Sequence, residues 1–351
     1  MFQHGLIVGL QHLTVDISLS QKLDIFIIYG DEDGCQYFTA HSAEDGNISP
    51  AKYYIYPPFR DFFFADSSCN GLLLFQNAEW ENLVWNPTTN QFNIFPKTFD
   101  KPPPGVILSY LGIGMWCDPS YGYKVLQVVE AQPEDDQEYI EAEASYHIEL
   151  YSYKTNSWKI IRCDEFVDFG SNGICINGAF YSTGARKAVG DTDIISFDFS
   201  TETLSTIPLP NQTRDSDGYC FLEYKGLLGC LVYWRDSTKC RYELWVMTID
   251  KSWTRGTVFN TCGVRKPLWF SQNGMLLYFE TFDNELVVFD RATGKLKHLD
   301  ICLYADYGMR LIPVLESFVP LNRMLDLKVQ DKKEEKYEDV TEANDGQLVQ
   351  A

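Results

Sequence analysis

Basic residues, histidines and long apolar runs are all scarce in this chain, and each shortage removes a class of function. Lysine and arginine number 29 against 49 aspartates and glutamates, a formal net charge of -20. Nucleic-acid binding rests on cationic side chains that displace counterions from phosphates, so neither a nucleic-acid partner nor an anionic membrane surface is expected. No segment approaches the roughly 18 to 20 apolar residues that a membrane helix needs. The opening MFQHGLIVGLQHL has neither a basic flank nor a small-residue cleavage site, so it reads poorly as a secretory leader.

Five histidines stand at positions 4, 12, 41, 147 and 298, with no HExxH motif and no two at helical ligand spacing. No metal or other cofactor is therefore expected. Ten cysteines lie singly at 35, 69, 117, 163, 175, 220, 230, 240, 262 and 302, without a CxxC pair. That pattern suits reduced, mostly buried thiols and a cytoplasmic or nuclear protein. The triplets Asn47-Ile48-Ser49 and Asn211-Gln212-Thr213 then read as accidental rather than as glycosylation acceptors. No G-x-S-x-G elbow is present to position a serine nucleophile.

What is abundant points to strands. Of 351 residues 45% are apolar, enough for a substantial core, and 15% are aromatic, including 21 Tyr and 23 Phe, which pack well on a pleated surface. Two phrases recur. The first is a turn followed by a strand: Asn70-Gly71-Leu72-Leu73-Leu74-Phe75, Asn177-Gly178-Ala179-Phe180-Tyr181, Lys225-Gly226-Leu227-Leu228 and Asn273-Gly274-Met275-Leu276-Leu277-Tyr278, the last three starting 48 residues apart. The second is a strand, a polar turn and a returning strand opened by a large apolar residue, in five copies: Val84 to Phe92, Leu150 to Trp158, Phe197 to Leu204, Leu244 to Trp253 and Phe289 to Leu296.

Each phrase is a β-hairpin, in which Asn, Asp, Gly, Pro and Thr supply the turn and the flanking apolar residues face a neighbouring sheet. Two hairpins per period make a four-stranded unit that cannot cover both of its faces alone, so successive units must stack radially. The reading is an all-β, kelch-like β-propeller of about six four-stranded blades. Residues 1–11 are an N-terminal extension, 12–322 the propeller and 323–351 a polar, disordered tail; the apolar segment Leu311 to Val319 is expected to close the ring.

In this order the phrases resemble the F-box-associated domain of plant F-box proteins. The family's opening signature is matched by Ser68-Cys69-Asn70-Gly71-Leu72-Leu73, Asn86-Pro87-Thr88-Thr89 and Phe95-Pro96. Its next elements are matched by Gly112-Ile113-Gly114, Asp118-Pro119-Ser120, Tyr123-Lys124-Val125, Tyr151 to Trp158, Asn177 to Tyr181 and Ile194 to Asp198. The resemblance spans residues 12–320 and implies a protein-binding module, without enzymatic activity, that recognises substrates for a cullin-based (SCF-type) ubiquitin ligase. An F-box of roughly 40 to 50 residues does not fit within the dozen residues before the first strand-like segment, so the adaptor-binding F-box is expected to be missing. A protein substrate is the expected partner, with a Skp-type adaptor and cullin joining only if an F-box is supplied. Two other readings stand beside it: a propeller glycoside hydrolase, and a truncated homologue that competes for substrates without ligase activity.

Residue by residue, no catalytic, cofactor-binding or metal residue emerges under any of the three readings. Asp66, Asp118, Asp198 and Asp290 recur beside strand ends, where a hydrolase would hold its carboxylates, yet Asp198 and Asp290 open hairpin turns, where aspartate caps its own backbone. Gly112 and Gly114 form a lone GxG with Gly105 too far upstream for a phosphate loop, which favours a strand or bulge. Trp80, Trp116, Tyr233 and Trp234 are candidate partner anchors or blade-core residues. Seven acids without an intervening base, Glu130, Glu134, Asp135, Asp136, Glu138, Glu141 and Glu143, are either a solvated loop or a docking site for a basic partner.

Overall fold

The computed structural model describes residues 25–30, 36–41, 43–44, 47–48, 53–55, 62–77, 79–89, 91–98, 105–118, 122–133, 145–186, 192–236, 239–302, 310–313, 317 and 321. In chain order come β1 (Ile25–Gly30), β2 (Gln36–His41), a two-stranded ribbon of β3 (Ala43–Glu44) and β4 (Asn47–Ile48), and β5 (Tyr53–Ile55). Blade one holds β6 (Phe62–Cys69), β7 (Leu72–Asn77), β8 (Asn82–Asn86) and β9 (Gln91–Ile94); blade two holds β10 (Val106–Asp118), β11 (Gly122–Pro133), β12 (Ser145–Ser152) and β13 (Ser157–Arg162). Blade three holds β14 (Phe166–Ile176), β15 (Ala179–Arg186), β16 (Thr192–Asp198) and β17 (Thr203–Ile207), and a 3-10 turn at Asn211–Asp215 leads out of it. Blade four holds β18 (Gly218–Tyr224), β19 (Leu227–Arg235), β20 (Cys240–Met247) and β21 (Trp253–Thr261); blade five holds β22 (Val264–Phe270), β23 (Leu276–Thr281), β24 (Glu285–Asp290) and β25 (Lys295–Cys302). β26 (Arg310–Pro313) pairs antiparallel with β1, giving a sixth four-stranded sheet in the order β26-β1-β2-β5.

The six sheets stand around one axis. Their first strands touch in sequence, β6 with β10, β10 with β14, β14 with β18, β18 with β22 and β22 with β26, which places these strands innermost. Each of five core clusters bridges two consecutive sheets. Tyr123 and Val125 of β11 pack with Leu72 and Leu74 of blade one, whereas Leu126 and Val128 of the same strand pack with Phe180 and Phe197 of blade three. Because side chains alternate across a strand, one strand serves both neighbours, and a single blade could not shield either face alone. The expected architecture of about six four-stranded blades is the architecture observed.

The closing strand is described from Arg310 to Pro313; of the rest of the segment Leu311 to Val319, only Ser317 lies among the described residues. Beyond it the chain straps onto blade one: the Asn86 amide donates to the Ser317 carbonyl at 2.9 Å, Ser317 N–H donates to Thr88 Oγ1, and Leu321 is fully buried against Leu72, Leu74 and Phe95. The proposed extension 1–11, the start at residue 12 with its strand-like His12 to Ile17, and the tail 323–351 lie outside the described residues.

Turn aspartates explain the second repeated phrase. Asp198 Oδ1 accepts from the N–H groups of Ser200 and Thr201, and Asp290 Oδ1 from those of Ala292 and Thr293, as Asn86 does from Thr88 and Thr89. Burial opposes ionisation of Asp198, but these hydrogen bonds prevail and hold it below its ordinary range; the Thr293 hydroxyl and Ala292 N–H do the same for Asp290. Glu202, in the blade-three turn, is lowered first by Lys159 and then by Lys124, both of blade two, with Lys124 Nζ at 2.9 Å. A carboxylate lowered by folding contributes stability above its unfolded pKa, about 4.3 for Glu, and loses it as pH falls through the folded value. Thermal unfolding is therefore expected to shift to lower temperature below about pH 4.5, and Glu202→Gln is expected to flatten that dependence.

Candidate functional site

The inner strands end in turns at one mouth of the axis. Asn70 and Gly71, Asn177 and Gly178, and Lys225 and Gly226 all have positive φ, the mark of tight two-residue turns whose twist matches the strands. The fourth copy departs: only Gly274 is positive, and a wider loop from Ser271 to Leu276 replaces the tight turn. Adjacent turns are locked together. The Trp116 ring lies against Gly178, the Asn177 amide donates to the Gly226 carbonyl, and Tyr224 and Lys225 lie against Gly274. A side chain at Gly178 or Gly274 would need both a disfavoured φ and the space its neighbour fills.

Between these turns lies a cavity of about 210 Å³, walled by blades one to four. Its principal residues are Ser68, Asn70, Trp116, Cys175, Asn177 and Glu223. Ser68, Cys175 and Glu223 each stand three residues before the turn glycine of their own inner strand, so the repeat places one residue from each of three blades at the same height. Glu223 is open toward the mouth yet walled on its sides; this desolvation raises its carboxyl above the ordinary range, against the pull of a hydrogen bond from the Gly226 N–H. Cys69 accepts the Cys117 N–H at 3.1 Å, and the facing Cys117 thiol lowers Cys69 while Cys117 itself is pushed up. Burial pushes Cys175 up to about 12. No group of three or more His, Cys, Asp and Glu among the described residues is placed to hold a metal ion.

Of the four aromatic candidates, Trp116 alone lines this cavity. Trp80 is exposed on a turn at the opposite mouth and stacks on Tyr110 at 4.7 Å. The Trp234 indole N–H donates to the Asp215 carbonyl at 2.8 Å beneath the Arg241 guanidinium, and Tyr233 lies against Gly218 and under Arg235. Asp198 and Asp290 cap their turns as described; the side chains of Asp66 and Asp118 lie outside the described residues. Of the acidic stretch, Glu130 accepts the Tyr146 hydroxyl at 2.9 Å, and residues 134–144 lie outside the described residues. Glycines 112 and 114 belong to β10, with a register shift between Tyr110 and Gly112, so the strand-and-bulge reading holds. In the sequence Asn70 and Asn177 stand out as turn formers and as parts of the family signature, whereas Glu223 belongs to no motif; aligning each inner strand on its turn glycine is the signal that finds it.

Six four-stranded sheets around an axis, closed by pairing the first described strand with the last, define a β-propeller. Residues 24–308 match the family described as the F-box associated beta propeller domain, and the chain belongs to that family. Among curated proteins it is similar to the F-box protein At3g08750 of Arabidopsis thaliana, 32% identical over 158 residues covering 42% of this chain and 39% of that one. It is also similar to the F-box protein CPR1 of Arabidopsis thaliana, 23% identical over 259 residues covering 67% of this chain and 62% of that one. The chain thus spans about two fifths to three fifths of the length of these relatives. Among solved structures, TolB from Acinetobacter baumannii aligns over 84% of this chain and 67% of its own at 12% identity and a TM-score of 0.47.

Proposed function

We propose that this propeller is a protein-binding module that recognises a substrate protein for a cullin-based ubiquitin ligase, with no catalytic centre of its own. The observation that supports the reading is that the matched relatives are F-box proteins and the matched region is the propeller. A Skp-type adaptor and cullin join through an F-box wherever one is linked to this domain, and the module works in the cytoplasm or nucleus. Its binding face is the mouth where the turns of blades one to four converge, because that face combines a cavity with polar turn groups and an aromatic wall.

Tagged protein recovered from plant cells after cross-linking tests the reading. Stable protein partners are the expected result, accompanied by adaptor and cullin where the tagged chain carries a linked F-box. Partners without adaptor or cullin from such a chain would instead favour a competing homologue without ligase activity. Turnover of glycans by the purified protein, with no stable protein partner, would overturn the reading in favour of a hydrolase.

A further inference from the structure

The cavity at the axial mouth carries one carboxylate and no cation. Glu223 accepts the Gly226 N–H, and among the described residues no ion pair engages it. Lys225, two residues on, is turned away: its Nζ lies 5.4 Å from the centre of the Tyr224 ring and its Cε lies against Gly274 of the next blade. A walled carboxylate has lost part of its water, and an arriving cation restores the lost stabilisation. Trp116 lines the same cavity, and aromatic rings attract cations within about 6 Å of their faces.

The remaining polar groups fit the same visitor. Asn177 commits its side-chain N–H to the Gly226 carbonyl, which leaves its amide oxygen as an acceptor. Ser68 and Asn70 add further oxygens to the wall. The cavity, about 210 Å³, is smaller than the roughly 300 to 1,000 Å³ of sites for drug-sized ligands, and suits one side chain. Leu227 and Met275, exposed just beyond the turn glycines at this mouth, offer apolar contacts for residues on either side of it. The formal charge of -20 draws a basic segment from a distance.

We propose, building on the reading of this propeller as a protein-binding module, that the axial cavity receives a lysine or arginine side chain of the bound protein, with its cation against the Glu223 carboxylate and its stem along the Trp116 ring. The specificity this confers is for a basic residue flanked by small or apolar ones.

The test is an array of randomised heptapeptides with a fixed central Lys, Arg, Leu or Glu, probed with the purified full chain. Lys- and Arg-centred peptides are expected to bind at least tenfold better than the others. Glu223→Gln is expected to remove that preference, and Glu223→Lys to transfer it to Glu-centred peptides; Glu223 is exposed, so both variants should unfold at the wild-type temperature. Basic preference that survives Glu223→Gln, or no basic preference at all, overturns the proposal. Peptide binding that ignores the central residue would do so while leaving the protein-binding reading standing. An array that binds nothing also overturns it, and the cross-linking experiment then decides the wider reading by itself.

Discussion

Phe180→Ala is expected to lower the unfolding free energy by about 3 to 5 kcal/mol. Phe180 is 2% exposed and sits at the joint between blades two and three. Its ring passes through a slot made by glycines of two inner strands. A Cβ on Gly114 would fall 2.6 Å from the ring and 2.5 Å from Cys175 Sγ; one on Gly173 would fall 2.1 Å from the ring, and one on Gly112 3.3 Å from it. Gly114→Ala alone is expected to cost about 1 to 3 kcal/mol by overpacking. Together the two changes should cost less than their sum, because the added methyl moves into space the ring vacates. Urea unfolding of the wild type, both single variants and the double variant measures this coupling. Strict additivity would mean that the glycines do not form the slot.

A chain ending at residue 309 is expected to lose cooperative unfolding altogether. It lacks β26, the inner strand of the sixth sheet, and with it the pairing of Ile25 to Ile28 with Pro313 to Arg310. It also lacks Leu311, Ile312 and Leu321, which are 9%, 5% and 0% exposed. At about 1.5 to 3 kcal/mol for each buried side chain, these three alone represent roughly 5 to 9 kcal/mol, comparable with the whole stability of a typical domain. A chain ending at residue 322 should keep the wild-type unfolding temperature, since the removed residues are those read from composition as a polar tail. Calorimetry on the two truncations separates the cases: a cooperative transition in the shorter chain would show that the ring does not depend on its closing strand.

Leu321→Ala probes the strap without removing the strand. Its side chain lies in the cluster of Leu72, Leu74 and Phe95, so the cost belongs to blade one although the residue follows blade six in the chain. That contact was not visible in the pattern of residues 311–319, which reads simply as an apolar strand. Thr88, Asn86 and Gln91 of the blade-one turn supply the partners for Ser317 and Leu321.

The repeated phrases determined the strands and the turns, because those depend on neighbours close along the chain; their even spacing implied stacked blades, because a four-stranded unit cannot cover both of its faces alone. Asn-Gly needs no distant partner to adopt positive φ, an aspartate two residues before an N–H caps its own turn, and a Leu-Leu-Leu-Phe run must be covered on both faces. Tertiary structure alone decided why Gly112, Gly114 and Gly173 are glycines, where Ser317 and Leu321 dock, and which polar groups meet at the mouth. Residues as far apart as Ser68 and Glu223 share one wall only because the ring brings four inner strands to a common height. That convergence is a property of radial closure: each strand specifies its own end, and the axis makes those ends neighbours.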